Sequence, residues 1–314
     1  MIGEKLLINS DLLKCEMTNG IAMNLANKEL SDIITAFVNE RKGVYFGQLT
    51  YIHYKVFGGQ ESEILSLAAA VELLVLSFDM FDDFEDLDNL EEPWMKIDRS
   101  IALNAATTIF TISQKMVHQL SSAAKIHIHE KFLHYSLQAM QGQHDDLQNQ
   151  TSTEKECLNL MKLKSGSLIA LASVCGMLLA NKAHPEVEQY SLQVGIAAQT
   201  ENDYRDLFNL DKNDLSAKKK TLAFLYLQKG FNEHCIEIAH YFDSGHHFNH
   251  YFKSKKEFKE KLVQTGVIHY LNVIKQIAIK KAARLIEELP LEKYQIETLK
   301  SHLIINEKTK NEER

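Results

Sequence analysis

Between Ile64 and Phe81 the chain reads ILSLAAAVELLVLSFDMF, an apolar run interrupted by two serines, Glu72 and Asp79. A helix that is apolar on every side has to sit in lipid or at the centre of a large protein core. The two acids leave this run short of a clean membrane span, so the expectation is burial in protein. The rest of the sequence has to supply what surrounds it. Only 3 Pro and 13 Gly punctuate 314 residues, and helical periodicity fills most of the gaps between them. It predicts helices over 28–41, 46–56, 61–88, 97–120, 125–150, 153–163, 166–182, 187–209, 219–243, 254–288 and 293–304. No segment shows strand-like alternation. The reading is one all-α domain over residues 1–305 with the 61–88 and 166–182 helices at its centre, followed by a polar, frayed tail over 306–314.

Charge and cysteine usage exclude several classes. There are 35 basic and 42 acidic residues, a net charge of −7, and no basic stripe suited to a nucleic-acid backbone. Cys15, Cys157, Cys175 and Cys235 lack paired spacing, which reads as reduced thiols of a cytoplasmic protein. The first twenty residues mix charged and apolar side chains and lack the core of a signal peptide. Peripheral contact with a membrane is expected at most through a greasy substrate or product.

The apolar run ends in a crowd of acids, DMFDDFEDLD. On a helix, with Asp82 as zero, Asp86 lies at about 40°, Asp79 at about 60° and Asp83 at about 100°, so the four share a face. Two readings are open: a solvated acidic helix end, or a site for hard divalent cations bound through oxygen. A second cluster, QTENDYRD, repeats the i, i+1, i+4 spacing with Asn202, Asp203 and Asp206 near the end of another helix. Two such helices could hold several metal ions and one diphosphate.

With both motifs in view, the chain resembles the trans-isoprenyl diphosphate synthases. DDFED at 82–86 is similar to their first aspartate-rich motif and QTENDYRD at 199–206 to their second, with Asn202 where Asp is usual. GQHDDL at 142–147, KLKSGSLIALASVCG at 162–176 and KKKTLAFLYL at 218–227 are similar to three further elements in the same order. The resemblance implies an isoprenoid synthase helical bundle around a deep cavity. It implies Mg2+, up to three ions, on Asp82, Asp83, Asp86, Asn202, Asp203 and Asp206. It also implies that Lys164 and Lys219 touch the diphosphate, that Gln143 and Gln199 line the site, and that the protein is a homodimer. The chemistry is ionisation of an allylic diphosphate, with metal ions and ammonium groups stabilising the departing anion.

The departures from the family pattern bear on the acceptor. Synthases that elongate chains carry a basic element for the diphosphate of isopentenyl diphosphate; RKGVYFGQLTYIHYKVFGG keeps only Arg41 and Lys42 at its front. After the first motif, where an arginine pair is usual, stand Leu90, Glu91 and Glu92. An intact allylic half with a reduced isopentenyl half resembles the ComQ-type isoprenyl transferases within the family. That implies transfer of a geranyl or farnesyl group to a tryptophan of a quorum-sensing pheromone precursor peptide. The alternative is a short-chain isoprenyl diphosphate synthase that condenses allylic and isopentenyl diphosphates; a non-catalytic subunit and a terpene cyclase are more distant readings.

Phe78, one turn before Asp82 and with Ser77 beside it, is expected to floor the prenyl pocket or else to fill core. His246, His247 and His250 read as a surface or loop cluster and Trp94 as a packed aromatic. The run Lys218–Lys220 reads as a solvated face, with only Lys219 drawn toward the site.

Overall fold

The computed structural model describes residues 7–60, 62–208, 219–244 and 248–304. Among the described residues every regular element is helical. The tail 306–314, Lys218, His246 and His247 lie outside them. The chain divides into two compact units, one of Met1–Ala139, Ser167–Ser191 and Ala283–Arg314, the other of Met140–Gly166 and Leu192–Ala282.

The first unit begins with a helix that the sequence reading passes over. α1 (Ser10–Asn24) starts where the Asn9 side chain accepts the backbone N–H groups of Asp11 and Leu12, the arrangement that satisfies orphan donors at a helix start. It buries Leu13, Met17, Gly20 and Ile21, a stripe at helical spacing. α2 (Lys28–Glu40) and α3 (Tyr45–Val56) follow, then α4 (Ile64–Asp86). Leu67 to Leu74 of α4 are all fully buried, Glu72 among them. α4 packs against α1, α3, α5 (Arg99–Gln119) and α8 (Ser167–Leu179), so the most apolar segment is the centre of its unit, as its composition requires. Leu87 stops it in the left-handed region with φ 55°, directly after the last acid of the motif.

Two helical stretches, Ile64–Asp86 and Glu154–Leu179, are long and apolar enough to cross a membrane by length and composition, yet 72% and 67% of their apolar windows are buried inside the protein. One buried histidine of the first unit is held at both ring nitrogens. His53 is fully buried, with Nδ1 2.7 Å from the Leu49 carbonyl and Nε2 2.7 Å from the Tyr190 hydroxyl. Burial lowers its pKa to about 4.

The second unit holds the C-terminal part of α6 (Lys125–Gln148), α7 (Glu154–Met161), the last turns of α9 (Pro185–Asp206), and α10 (Leu222–Gln228) to α13 (Lys255–Gln264), with α14 (Val267–Glu287) up to residue 282. Its core gathers Met161, Ile196, Leu207, Leu222, Phe242, Phe252, Phe258 and Leu271. The continuous helices expected over 219–243 and 254–288 are each broken in two. The breaks fall at Gly230 (φ 64°) and Gly266 (φ 85°), left-handed positions where only glycine is unstrained and where helices commonly end. α15 (Lys293–Leu303) closes the described chain within the first unit. Of the cysteines, Cys157, Cys175 and Cys235 are buried and Cys15 is exposed, all four free; burial pushes the Cys157 thiol up to about 11 and that of Cys175 to about 12, which leaves them poor nucleophiles.

Candidate active site

The last turns of α4 place the first motif. Asp82 and Asp86 are half-buried and Asp83 is 3% exposed. Asp83 is held from within the unit: Asn89 Nδ2 donates to one oxygen at 2.6 Å and Trp94 Nε1 to the other at 2.8 Å. Burial raises its pKa to about 7 against the pull of those two bonds. Trp94 itself is 6% exposed and meets Phe37 edge-on, the packed aromatic that the sequence suggests. Phe78 is half-buried with its ring centroid 6.1 Å from that of Phe110 on α5. Ser77 is fully buried and its hydroxyl donates to the Leu74 carbonyl at 2.6 Å.

One turn further into α4 lies an ion-pair group that the sequence reading does not contain. Arg41, at the end of α2, donates from Nε to Glu72 Oε1 and from Nη1 to Asp79 Oδ2, both at 2.8 Å. The second Glu72 oxygen accepts the Gly47 backbone N–H at 2.7 Å. Arg41 and Glu72 are 31 residues apart, and Arg41 and Asp79 38, so no local periodicity announces the group.

The second unit brings together most of the remaining candidates. Between α7 and α8 the helix widens to a π turn, Lys162–Gly166, a form that recurs at functional positions. Two glycines allow the neighbouring helices to close on it. A Cβ on Gly142 would lie 2.5 Å from the Lys164 backbone nitrogen, and one on Gly195 would lie 2.2 Å from the Gly166 Cα. This close approach sets Lys164 Nζ 3.1 Å from Asp146 Oδ2, while Lys219 Nζ stands 3.6 Å from the same oxygen. Ser165 donates to Gln199 Oε1 at 2.7 Å, and Gln199 Nε2 donates to Asp203 Oδ1 at 3.1 Å. Asp203 is 5% exposed, Asp206 half-buried and Asn202 exposed. Asp146 and Ser165 are therefore members that sequence reasoning left without a role, although both stand inside motifs it singled out. His250 is exposed on the short α12 (Phe248–Tyr251).

The donor set suits a diphosphate and hard cations. Both amide atoms of Gln143 are buried without a hydrogen-bond partner among the described residues, which is costly unless a ligand or water supplies one. Among the described residues no three His, Cys, Asp or Glu gather closely enough to hold an ion by themselves. Mg2+ asks less than that, since it keeps waters and shares substrate phosphate oxygens.

Residues 28–246 match the family model described as polyprenyl synthetase. The chain belongs to the polyprenyl synthetase family. Within reach of the family's sequences, a protein named Tryptophan prenyltransferase ComQ from Bacillus spizizenii is 40% identical over 252 residues, 80% of this chain and 90% of that one. Its namesake from Bacillus subtilis (strain 168) is 39% identical over 289 residues, 90% of this chain and 95% of that one. Among solved structures, a geranylgeranyl pyrophosphate synthase is similar with TM-score 0.82 at 19% identity, covering 95% of this chain and 98% of that one. Polyprenyl synthetases of this shape have the all-α isoprenoid synthase fold, and this chain shares it. The chain is a prenyltransferase.

Proposed function

We propose that this prenyltransferase ionises a short allylic diphosphate, geranyl or farnesyl, and transfers the prenyl group to a tryptophan of a quorum-sensing pheromone precursor peptide. The observation that carries the acceptor is the 40% identity to a protein named for tryptophan prenylation, over 90% of that protein's length. Mg2+, up to three ions, supplies positive charge to the leaving diphosphate when bound. Asp82, Asp83, Asp86, Asn202, Asp203 and Asp206 would be its ligands in this reading. Asp83 and Asp203 arrive already oriented, the first by Asn89 and Trp94, the second by Gln199. Lys164 and Lys219 bind the diphosphate, lending fixed positive charge where negative charge develops; Asp146 holds both ammonium groups in place until substrate arrives. Gln143 and Gln199 complete the diphosphate contacts. Phe78 and Ser77 line the prenyl pocket, where aromatic surface shields the cation from water until the indole carbon attacks it. That attack makes the carbon–carbon bond, and the indole then loses a proton or accepts an internal nucleophile.

The family match over residues 28–246 takes in parts of both units, in keeping with one domain over residues 1–305. A homodimer is part of the same reading. Ile126, Leu133 and Leu137 of α6 are 74%, 41% and 59% exposed and lie on one stripe of the helix, apolar surface that a second copy would cover. The buried reduced thiols suit a cytoplasmic setting.

Mass spectrometry on a co-expressed tryptophan-containing precursor peptide tests the function. The expected result is a gain of one geranyl or farnesyl unit on tryptophan with the wild type and none with Asp82→Asn. Elongation of allylic diphosphates by isopentenyl diphosphate, with no peptide modification, would overturn it in favour of a diphosphate synthase.

A further inference from the structure

We propose that Asp79, through its hold on Arg41, is a specificity-determining residue that makes the acceptor side of this enzyme refuse a second diphosphate. The inference rests on the prenyl-transfer reading above and names the acceptor class: an uncharged group, as opposed to an anion. A guanidinium keeps its charge at all relevant pH, and its planar fork suits phosphate as well as carboxylate. Arg41 spends two arms of that fork on carboxylates, Nε on Glu72 and Nη1 on Asp79, each at 2.8 Å. Its side chain is only 14% exposed and that of Glu72 is fully buried, whereas that of Asp79 is 46% exposed. What this group presents to solvent is therefore a carboxylate. Two carboxylates share one guanidinium, so the group has no positive charge to spare for an anion.

Its position makes this consequential. Asp79 precedes Asp82 by three residues on α4, a rise of about 4.5 Å along the helix. Asp82 and Glu92 are close enough to act on Asp79 as like charges. A diphosphate approaching beside the first motif would meet repulsion, with the guanidinium already taken. An indole carries no charge and pays no such cost. Glu72 cannot play the same part, because it is enclosed and also bonded to Gly47; the exposed arm of the clamp is Asp79.

The test is calorimetric titration of the full chain with isopentenyl diphosphate in EDTA, which silences any metal-held diphosphate. The titrations are run in a Lys164→Met/Lys219→Met background, which removes the diphosphate site proposed above, and with Asp79 intact this background should show no saturation. Asp79→Leu, which removes the carboxylate and frees one arm of Arg41, should bind at least tenfold more tightly, Asp79→Asn, whose amide oxygen still accepts from Arg41, should gain less, and the gain should vanish in Asp79→Leu/Arg41→Gln. Asp79→Asn serves where Asp79→Leu is too unstable to titrate, and melting temperatures are measured alongside. Equal affinity with Asp79 intact and in both variants would overturn the proposal, as would a gain that survives loss of Arg41. Peptide prenylation by the wild type, assayed separately, reports on the proposed function; its absence would count against that reading without moving the titration.

Discussion

The two units handle fixed charge in opposite ways. In the second, two ammonium groups, Lys164 and Lys219, converge on one carboxylate, Asp146. In the first, one guanidinium, Arg41, is divided between two carboxylates, Glu72 and Asp79. Lysines gather on an acid in the one arrangement, and acids gather on an arginine in the other. Yet the aspartate-rich motifs themselves are treated alike: in each, the middle acid is buried and held by neutral donors, Asn89 and Trp94 on Asp83, Gln199 on Asp203. The difference teaches that orienting a metal-binding carboxylate and supplying charge for a diphosphate are separate tasks. Amides and an indole do the first in both motifs, and Lys164 and Lys219 of the second unit are placed for the other.

The most severe way to break this comparison is Asp82→Asn. If the acids of the first motif serve metal ions, peptide prenylation at saturating Mg2+ should fall by about 10³-fold, measured as single-turnover rates; a loss under tenfold would remove the motif from the chemistry. Acid should next separate the units by stability. His53 is neutral in the fold with a pKa of about 4, while the unfolded chain takes up that proton below about 6.5. The stability that His53 contributes is therefore complete above pH 6.5 and is lost as pH falls toward 4, about 3 kcal/mol in all, while Asp83, raised to about 7, shifts stability the other way over the same range. Among the described residues of the second unit no histidine is buried. The difference in urea-unfolding free energy between wild type and His53→Phe should accordingly change by about 3 kcal/mol across this range, the wild type losing ground to the variant as pH falls. Lys164→Met should lower kcat/KM for the allylic diphosphate by about 10²-fold, or about 2.7 kcal/mol, with Asp146→Asn milder because the ammonium groups remain. The smallest effect is expected from Trp94→Phe, which deletes one donor to Asp83 and should cost about 2 kcal/mol in urea unfolding.

Much of this was legible in the sequence for a physical reason: local periodicity and motif order are carried by neighbouring residues. The run from Ile64 announces a central helix because nothing else can house it, and Asp82, Asp83 and Asp86 show their shared face through the helical repeat. Lys164 and Lys219 were reachable only through their place in motifs similar to a family. The α1 helix was legible too, in Asn9 and the Leu13, Met17, Ile21 stripe, but its polar interruptions hid it. Gly230 and Gly266 marked the two helix breaks in plain view. Arg41 with Asp79, Lys219 with Asp146, and Asp83 with Trp94 were not legible as pairs, since they depend on tertiary closure between segments whose spacing carries no repeat.

Trp94 is the only tryptophan in the chain, and it is 6% exposed with its indole N–H committed to Asp83. On the proposed function, the chain's single copy of the target side chain is thus locked inside its own structure. The same economy makes the intrinsic fluorescence of the protein a one-residue signal. Its emission reports directly on Asp83, so titrating Mg2+ while watching that band follows the first motif from within, with no label attached.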